Sequence, residues 1–234
     1  MWLVTGASRG LGRAIAARLL RRGHEVLAIA RDAARLAELA AASDRDGTGA
    51  LRTLALDLAD PAAIAPALQE ALHGVEHVHG LVNNAGFAAL GPFAEQSEAQ
   101  ALQTLQVNLM AAVQVTHAVI GRLLAQRSGH VINIASDLAR RPAADLATYV
   151  AAKHGLAGFS HSLLREVKDS GVKVSLVNPG IIDTDFAGGS PGSRAPEWSL
   201  RPDALADLVL AVIEQPGFQL VDELSVHPLQ QGEY

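Results

Sequence analysis

Thr5-Gly6-Ala7-Ser8-Arg9-Gly10-Leu11-Gly12 stands between an apolar, strand-like run at residues 2–5 and a helix-like segment at 13–22. Three glycines in this short stretch permit a tight turn and let the backbone approach a ligand closely. The helix that follows then aims its N-terminus across the turn. Its first N–H groups have no partner within the helix and the helix dipole is positive there, so the position favours an anion such as a pyrophosphate. Taken alone, the stretch also fits a plain tight connection between two elements.

Beyond the turn, strand-like runs at 2–5, 25–30, 52–57, 79–83, 130–135 and 173–178 alternate with helix-like segments. Such alternation implies a parallel sheet, and runs that are mostly unbroken apolar residues imply helices on both faces. The expected fold is therefore α/β, a doubly wound parallel sheet. A seventh strand is expected at 218–227 after a helix at 202–213, with long helices at 101–126 and 146–168. The pattern continues almost to the C-terminus, so residues 1–234 are expected to form a single domain. Gly23 is a natural stop for the first helix, since glycine takes the left-handed conformation without steric penalty. Gly188-Gly189-Ser190-Pro191-Gly192-Ser193 is the richest turn-forming stretch and predicts a mobile lid over about 185–200. Another surface loop is expected at 41–49.

Composition narrows the partners. With 234 residues, 49% of them hydrophobic, the chain has material for a sizeable core. Met1 runs directly into Trp2-Leu3-Val4, leaving no room for a leader, and the absence of cysteine fits a reducing compartment; the expected location is the cytoplasm. Apolar stretches such as 205–213 fall short of the roughly 20 residues a membrane span needs. A net charge of −5 with dispersed arginines gives no footprint for nucleic acid, which favours a small-molecule partner. The nine histidines show no metal-ligand spacing with carboxylates, so no metal is expected.

Ser136 follows the fifth run, and thirteen residues later Tyr149 opens Y-V-A-A-K, which ends at Lys153. Tyr149 and Lys153 are four apart and share a helix face. A serine hydroxyl can hold a carbonyl oxygen while a phenol passes it a proton. Bringing a phenol from a pKa near 10 to about 7 takes roughly 4 kcal/mol of preferential phenolate stabilisation, which an ammonium one turn along can help supply. His154 is rotated about 100° from Lys153 on the helix and is expected to pack or face solvent. Asn108 lies within a strongly helical stretch although asparagine competes for backbone hydrogen bonds, a placement that suggests a function.

The glycine spacing G-x-x-x-G-x-G, Asn83-Asn84-Ala85-Gly86 directly after the fourth run, and the Ser136, Tyr149 and Lys153 set resemble the short-chain dehydrogenases/reductases over essentially the whole chain. The resemblance implies a Rossmann-type sheet and a nicotinamide cofactor held by Gly6, Ser8, Arg9, Gly10, Leu11 and Gly12. It places Asp57, with Leu58, at the adenine, and Asn83, Ala85 and Gly86 against the adenine ribose while bracing the sheet. Asn178-Pro179-Gly180-Ile181-Ile182-Asp183-Thr184 looks like the segment whose backbone and threonine engage the nicotinamide carboxamide, with Pro179, Gly180, Ile182 and Thr184 as the contacts. Tyr149 and Lys153 are implied at the nicotinamide ribose, and Asn108 at a helix irregularity holding a water that links Lys153 to solvent. Members commonly associate through the helices matching 101–126 and 146–168, so a homodimer or homotetramer is expected.

Two forms of the cofactor differ at the adenosine ribose, where a 2′-phosphate favours arginine and a free hydroxyl favours a carboxylate. Arg31, nineteen residues after Gly12, and Arg9 in the turn both argue for NADP(H) over NAD(H). Asp32 competes as a ribose ligand but reads more simply as a helix N-cap. Arg140, Arg141 and Arg194 could meet an acidic substrate or be solvated loop charges. The expected activity is carbonyl reduction, with a 3-oxoacyl-thioester reductase as the alternative. A non-catalytic NADP sensor or scaffold is a third reading, but its signature would be loss of Ser136, Tyr149 or Lys153.

Overall fold

Side chains that alternate along each strand find apolar cover on both sides. The computed structural model describes residues 1–46 and 49–232. Seven strands, β1 (Trp2–Thr5), β2 (Val26–Ala30), β3 (Leu51–Ala55), β4 (Gly80–Asn83), β5 (Gly129–Ile134), β6 (Val172–Pro179) and β7 (Glu223–Val226), form one parallel sheet in the order β3-β2-β1-β4-β5-β6-β7. Trp2, Val4, Val26 and Ala28 point to the face covered by α1 (Gly10–Arg21), α2 (Ala33–Asp46) and α7 (Pro202–Ile213). Leu3, Leu27, Ile29 and Leu81 point to the opposite face, under α3 (Pro61–Ala71), α5 (Ala111–Gln126) and α6 (Ala147–Val167). The doubly wound α/β architecture expected from the alternation is the one observed. Because β1 has β2 on one side and β4 on the other, the connections leave in opposite directions and open a crevice at the strands' C-terminal ends.

Several boundaries differ from the sequence expectations, each for a local reason. Helix α1 begins at Gly10 rather than residue 13, because the turn leads straight into it, and it ends before Gly23, whose φ is +79°. The loop expected at 41–49 is helix as far as Asp46: Ala33-Ala34-Arg35-Leu36-Ala37-Glu38-Leu39-Ala40-Ala41-Ala42 is too rich in strong helix formers to stop at 40. Residues 47 and 48 lie outside the described residues. The expected seventh strand contracts to four residues, since β7 finds a partner only along Leu176–Pro179 of β6 while Phe218 stands 93% exposed. The third strand stops at Ala55, so Asp57 sits just beyond it at the crevice.

The helix expected at 101–126 starts earlier, at α4 (Glu98–Leu105), where Ser97 and Gln100 form a reciprocal capping box. It then passes through one wider π-type turn at Gln106–Met110 into α5. The combined segment Glu98–Gln126 is long and apolar enough, by length and composition alone, to cross a membrane, a test that the core helix of a soluble protein also passes. Its buried stripe of Val115, Val119 and Leu123 packs into the core beneath the sheet.

His130 on β5 is 5% exposed, with Nε2 2.7 Å from Ser175 Oγ. Burial, helped by the Lys173 charge, pushes its pKa from 6.5 down to about 3. The folded protein therefore keeps this ring neutral, whereas an unfolded chain takes up a proton below pH 6.5. Stability contributed at neutral pH is lost as pH falls from 6.5 towards 3. By pH 4 this amounts to about 3 kcal/mol. Urea unfolding at pH 7 and pH 4 is expected to show a shallower loss for His130→Asn than for the unaltered chain. Equal slopes would assign the acid lability to other groups.

Candidate active site

The turn after β1 is held by backbone geometry that needs glycine at Gly6 and Gly10, with φ of +67° and +52°. Gly12 has a different reason: a Cβ there would lie 2.3 Å from Gly6 O and 2.4 Å from Asn84 Nδ2. Asn84 is the clamp of this region, donating to Thr5 O at 3.0 Å, while Thr5 Oγ1 accepts from the Asn84 and Ala85 N–H groups at 2.9 and 3.0 Å. Arg9, at the α1 N-cap, gives no side-chain hydrogen bond to the helix, and the first turn carries no acid. The helix end therefore carries no side-chain cap of its own.

A cavity of about 560 Å³ runs over the strand ends. Every sequence-predicted cofactor and catalytic residue lines it except Gly12, Asn83 and Asn108. The first two belong to the expected binding set and lie behind the lining. Gly12 serves the close approach of α1 to the turn. Asn83 is 4% exposed and turned into the core, where its Nδ2 donates to Asn133 Oδ1 at 2.8 Å and Thr116 Oγ1 at 3.0 Å. Its side chain braces the sheet and does not line the cavity; Asn84 is the neighbour that does. Asn133 Nδ2 in turn donates to Ser160 Oγ at 2.8 Å, and Ser160 Oγ to Leu156 O at 2.6 Å, carrying the chain of bonds onto α6.

At one end of the cavity Ser136, Tyr149 and Lys153 meet, respectively 8%, 7% and 4% exposed. Burial pushes the Tyr149 phenol above its ordinary pKa; the Ser136 hydroxyl pulls it down and the Asp137 carboxylate adds to the rise. Burial lowers Lys153 from 10.5 to about 8. Its Nζ donates to Ile134 O at 3.0 Å and stands 5.5 Å from the centroid of the Tyr149 ring. The expected depression of the phenol by lysine is not found in the protein alone: burial holds the phenol above its ordinary value, and Ser136, not Lys153, is the group that lowers it. Asn108 lies in the π-type turn, the helix irregularity that the resemblance implied. Its Nδ2 donates to Phe87 O and Thr104 O at 2.8 and 2.9 Å, which widens the turn locally, and its buried Oδ1 has no hydrogen-bond partner among the described residues. A Cβ at Gly86 would be 2.7 Å from that oxygen and 3.8 Å from Lys153 Nζ, so both atoms border the same glycine. His154 is exposed and turned to Val150 O, away from the site.

Two polar residues here escaped sequence reasoning. Asp137 is 9% exposed; its carboxylate accepts from Ser136 Oγ and the Leu138 N–H, both at 2.9 Å, from Arg141 Nη2 at 2.6 Å and from Gln231 Nε2 at 2.7 Å. Gln231 also accepts from the Ile181 N–H at 2.9 Å, joining the C-terminal segment to the Pro179–Gly180 turn. Arg141 and Arg194 line the cavity. Arg140 does not: its guanidinium pairs with Glu223 on β7, which removes it from the expected substrate arginines. The ring of Phe186, from the segment expected to form a lid, lies 5.8 Å from that of Tyr149.

The other end is charged. Arg9 pairs with Asp185, while Arg35 reaches Asp185 at 3.8 Å and Asp32 at 3.4 Å. Asp32 Oδ1 accepts from the Arg35 N–H at 3.0 Å, the N-cap geometry expected of it. Arg31 is exposed at the cavity rim and makes no ion pair among the described residues. Asp57 Oδ1 accepts from the Ala59 N–H at 2.9 Å, which fixes the turn that carries Leu58 to the wall.

An uncapped helix N-terminus behind a glycine turn and arginines beyond the second strand suit a phosphate-bearing dinucleotide. They define a dinucleotide-binding α/β protein. Comparison with known proteins agrees: a family profile for short chain dehydrogenase matches residues 1–193. The 3-oxoacyl-[acyl-carrier-protein] reductase of Salmonella typhimurium is 38% identical over 185 residues, covering 79% of this chain and 74% of that protein. Among solved structures, an alcohol dehydrogenase from Thermococcus sibiricus complexed with 5-hydroxy-NADP superposes with a TM-score of 0.91 at 28% identity, covering 100% of this chain and 98% of the other. A short-chain dehydrogenase from Sphingobium yanoikuyae in complex with NADPH gives 0.85 at 30% identity, covering 98% and 87%. The chain belongs to the short-chain dehydrogenase family and is an oxidoreductase.

Proposed function

We propose that this chain is an NADP(H)-dependent reductase of ketones or aldehydes, with Ser136, Tyr149 and Lys153 as its catalytic residues and Asn108 as a relay behind them. The observation that carries the reading is the meeting of those side chains at one end of a cavity whose other end holds Arg9 and Arg31. The glycine turn would hold the pyrophosphate, Arg9 and Arg31 the 2′-phosphate, Asp57 and Leu58 the adenosine, Pro179, Gly180, Ile182 and Thr184 the carboxamide, and Tyr149 and Lys153 the second ribose. A nicotinamide held by these residues would supply the hydride for a carbonyl carbon, or would accept it in oxidation.

The chain's own groups supply the proton. A phenol pushed up by burial is protonated at neutral pH, the state required of a general acid towards a carbonyl oxygen. Ser136 Oγ accepts from the Leu138 N–H and donates to Asp137 in the ligand-free protein; to hold the carbonyl oxygen it would turn that hydrogen from Asp137 to the substrate. Lys153, when charged, stabilises the phenolate left behind, and Asn108 Oδ1 beside Gly86 accepts a hydrogen bond from a water that restores the proton. Residues 185–200 act as a lid, packing Phe186 over Tyr149, and residues 1–234 work as one domain. The likeness to the Salmonella reductase favours 3-oxoacyl thioesters as the alternative substrate class. Turnover of a carbonyl panel with NADPH and with NADH tests the reading; tight NADPH binding without turnover of any carbonyl would favour a sensor instead.

The proposed setting is the cytoplasm. The proposed assembly is a homodimer or homotetramer, since Leu102 on α4 and Met110 at the end of the π-type turn are large apolar side chains left 59% and 45% exposed. Sedimentation velocity at micromolar concentration is expected to show a dimer or tetramer; a monomer would contradict it.

A further inference from the structure

We propose that Asp185 sets how strongly the chain prefers a 2′-phosphorylated dinucleotide, by holding Arg9 in an ion pair that the 2′-phosphate must displace. The inference rests on the NADP(H) reading above and deepens it. Arg9 Nη1 donates to Asp185 Oδ2 in a short contact, and Arg35 Nη1 lies 3.8 Å from the same oxygen. Asp185 does not serve the neighbouring backbone. It precedes the short 3₁₀ turn Phe186–Gly188, yet its side chain caps no N–H there. Its partners among the described residues are these two guanidiniums, at the mouth of the crevice where the adenosine end is placed.

The local charge explains the direction. Arg9 and Arg35 face Asp185, and Arg35 also faces Asp32, so the field of these two guanidiniums is largely cancelled before any ligand arrives, while Arg31 stays outside the cluster. A 2′-phosphate brings about two negative charges and gains most from unpaired guanidinium. With Asp185 in place it must first separate Arg9 from a carboxylate; a cofactor with a free 2′-hydroxyl has no such contact to make. Both side chains are partly exposed, 49% for Arg9 and 33% for Asp185, so salt screens the pair and the effect is moderate.

The pair also crosses between functional parts. Thr184 Cγ2 would be 3.3 Å from a Cβ on Gly10, and Phe186 packs on Tyr149, so Asp185 sits between the phosphate turn and the residue that covers the phenol. Coupling between two equilibria is reciprocal. A cofactor that releases Arg9 from Asp185 also frees this base of the lid, which a cofactor lacking the 2′-phosphate leaves tied down.

Fluorescence titration of the wild-type chain and Asp185→Asn with NADPH and with NADH, at low and high salt, tests this. The variant is expected to bind NADPH about three- to fivefold more tightly at low salt, with a smaller gain at high salt and NADH affinity within about twofold of wild type. Unchanged or weaker NADPH binding overturns the proposal, the weaker result because Asp185 would then be positioning Arg9 for the phosphate. Loss of binding for both cofactors also overturns it, since the carboxylate would be maintaining the site itself. Equal affinity of the wild type for NADH and NADPH would instead remove the cofactor reading on which it stands.

Discussion

Tyr149→Phe is expected to reduce carbonyl turnover by about 10³-fold while leaving NADPH affinity within a few-fold of wild type. The substitution removes one oxygen and keeps the ring that packs 5.8 Å from Phe186 and 5.5 Å from Lys153 Nζ. The fold and the cavity shape therefore survive, and the loss is confined to proton delivery. The remaining candidates are poorly placed to substitute for the phenol. Ser136 donates its proton to Asp137, and Lys153, lowered to about 8 by burial, donates to the Ile134 carbonyl. Turnover and NADPH titration on the same preparation separate the two effects. Undiminished reduction by the phenylalanine variant would sink the role assigned to Tyr149.

Gly12→Ala is expected to destabilise the protein by about 2 kcal/mol or more and weaken cofactor binding more than tenfold. Alanine is the better helix former by about 1 kcal/mol, so intrinsic propensity predicts the opposite sign. Sterics decide the outcome, because the new methyl would lie 2.3 Å from a backbone oxygen and 2.4 Å from the Asn84 amide. Neither is the free end of a flexible chain: Gly6 O belongs to the turn, and Asn84 is tied to Thr5 O. Relief requires moving α1 away from the turn, which displaces the N–H groups proposed to meet the pyrophosphate. Chemical denaturation and cofactor titration measure the two losses. A variant as stable as wild type would show that the turn yields more easily than this packing implies.

What could be read from the amino-acid order followed the range of the interaction. Apolar runs separated by helical patterns disclosed a doubly wound sheet, because a strand covered on both faces has little choice but to be apolar throughout. Tyr149 and Lys153 could be placed on one face from helical spacing alone. A poor helix former in a good helix marks Asn108 as a residue with a function, while the widened turn there follows from the family resemblance alone; the capping boundary at Ser97 leaves no comparable signal. Contacts between distant segments left no comparable trace. Gln231 meets Asp137 across 94 positions, and Asp185 meets Arg9 across 176. Asp137 stood beside Ser136 in plain view, but a carboxylate entering a loop ordinarily faces solvent, and only the convergence of Arg141 and Gln231 explains its burial. Asn83 and Asn84 could not be told apart by type; successive positions at a strand end point opposite ways, and that assigned one to the core and the other to the cavity.

The amide ladder from Asn83 through Asn133 to Ser160 runs its donors in one direction, from β4 towards α6. Turning over the Asn133 amide alone would set two donors against each other on the Asn83 side, so Asn133 cannot reorient independently of Asn83. Aligned dipoles also polarise their neighbours, and a chain of them resists displacement more than isolated bonds do. β4 leads into the wall proposed for the cofactor, and α6 carries the proposed acid. The ladder thus acts on the spread of distances between two reaction partners rather than on the affinity for either. A narrow spread matters for paired hydride and proton movement, whose rates fall off within about an ångström of misplacement.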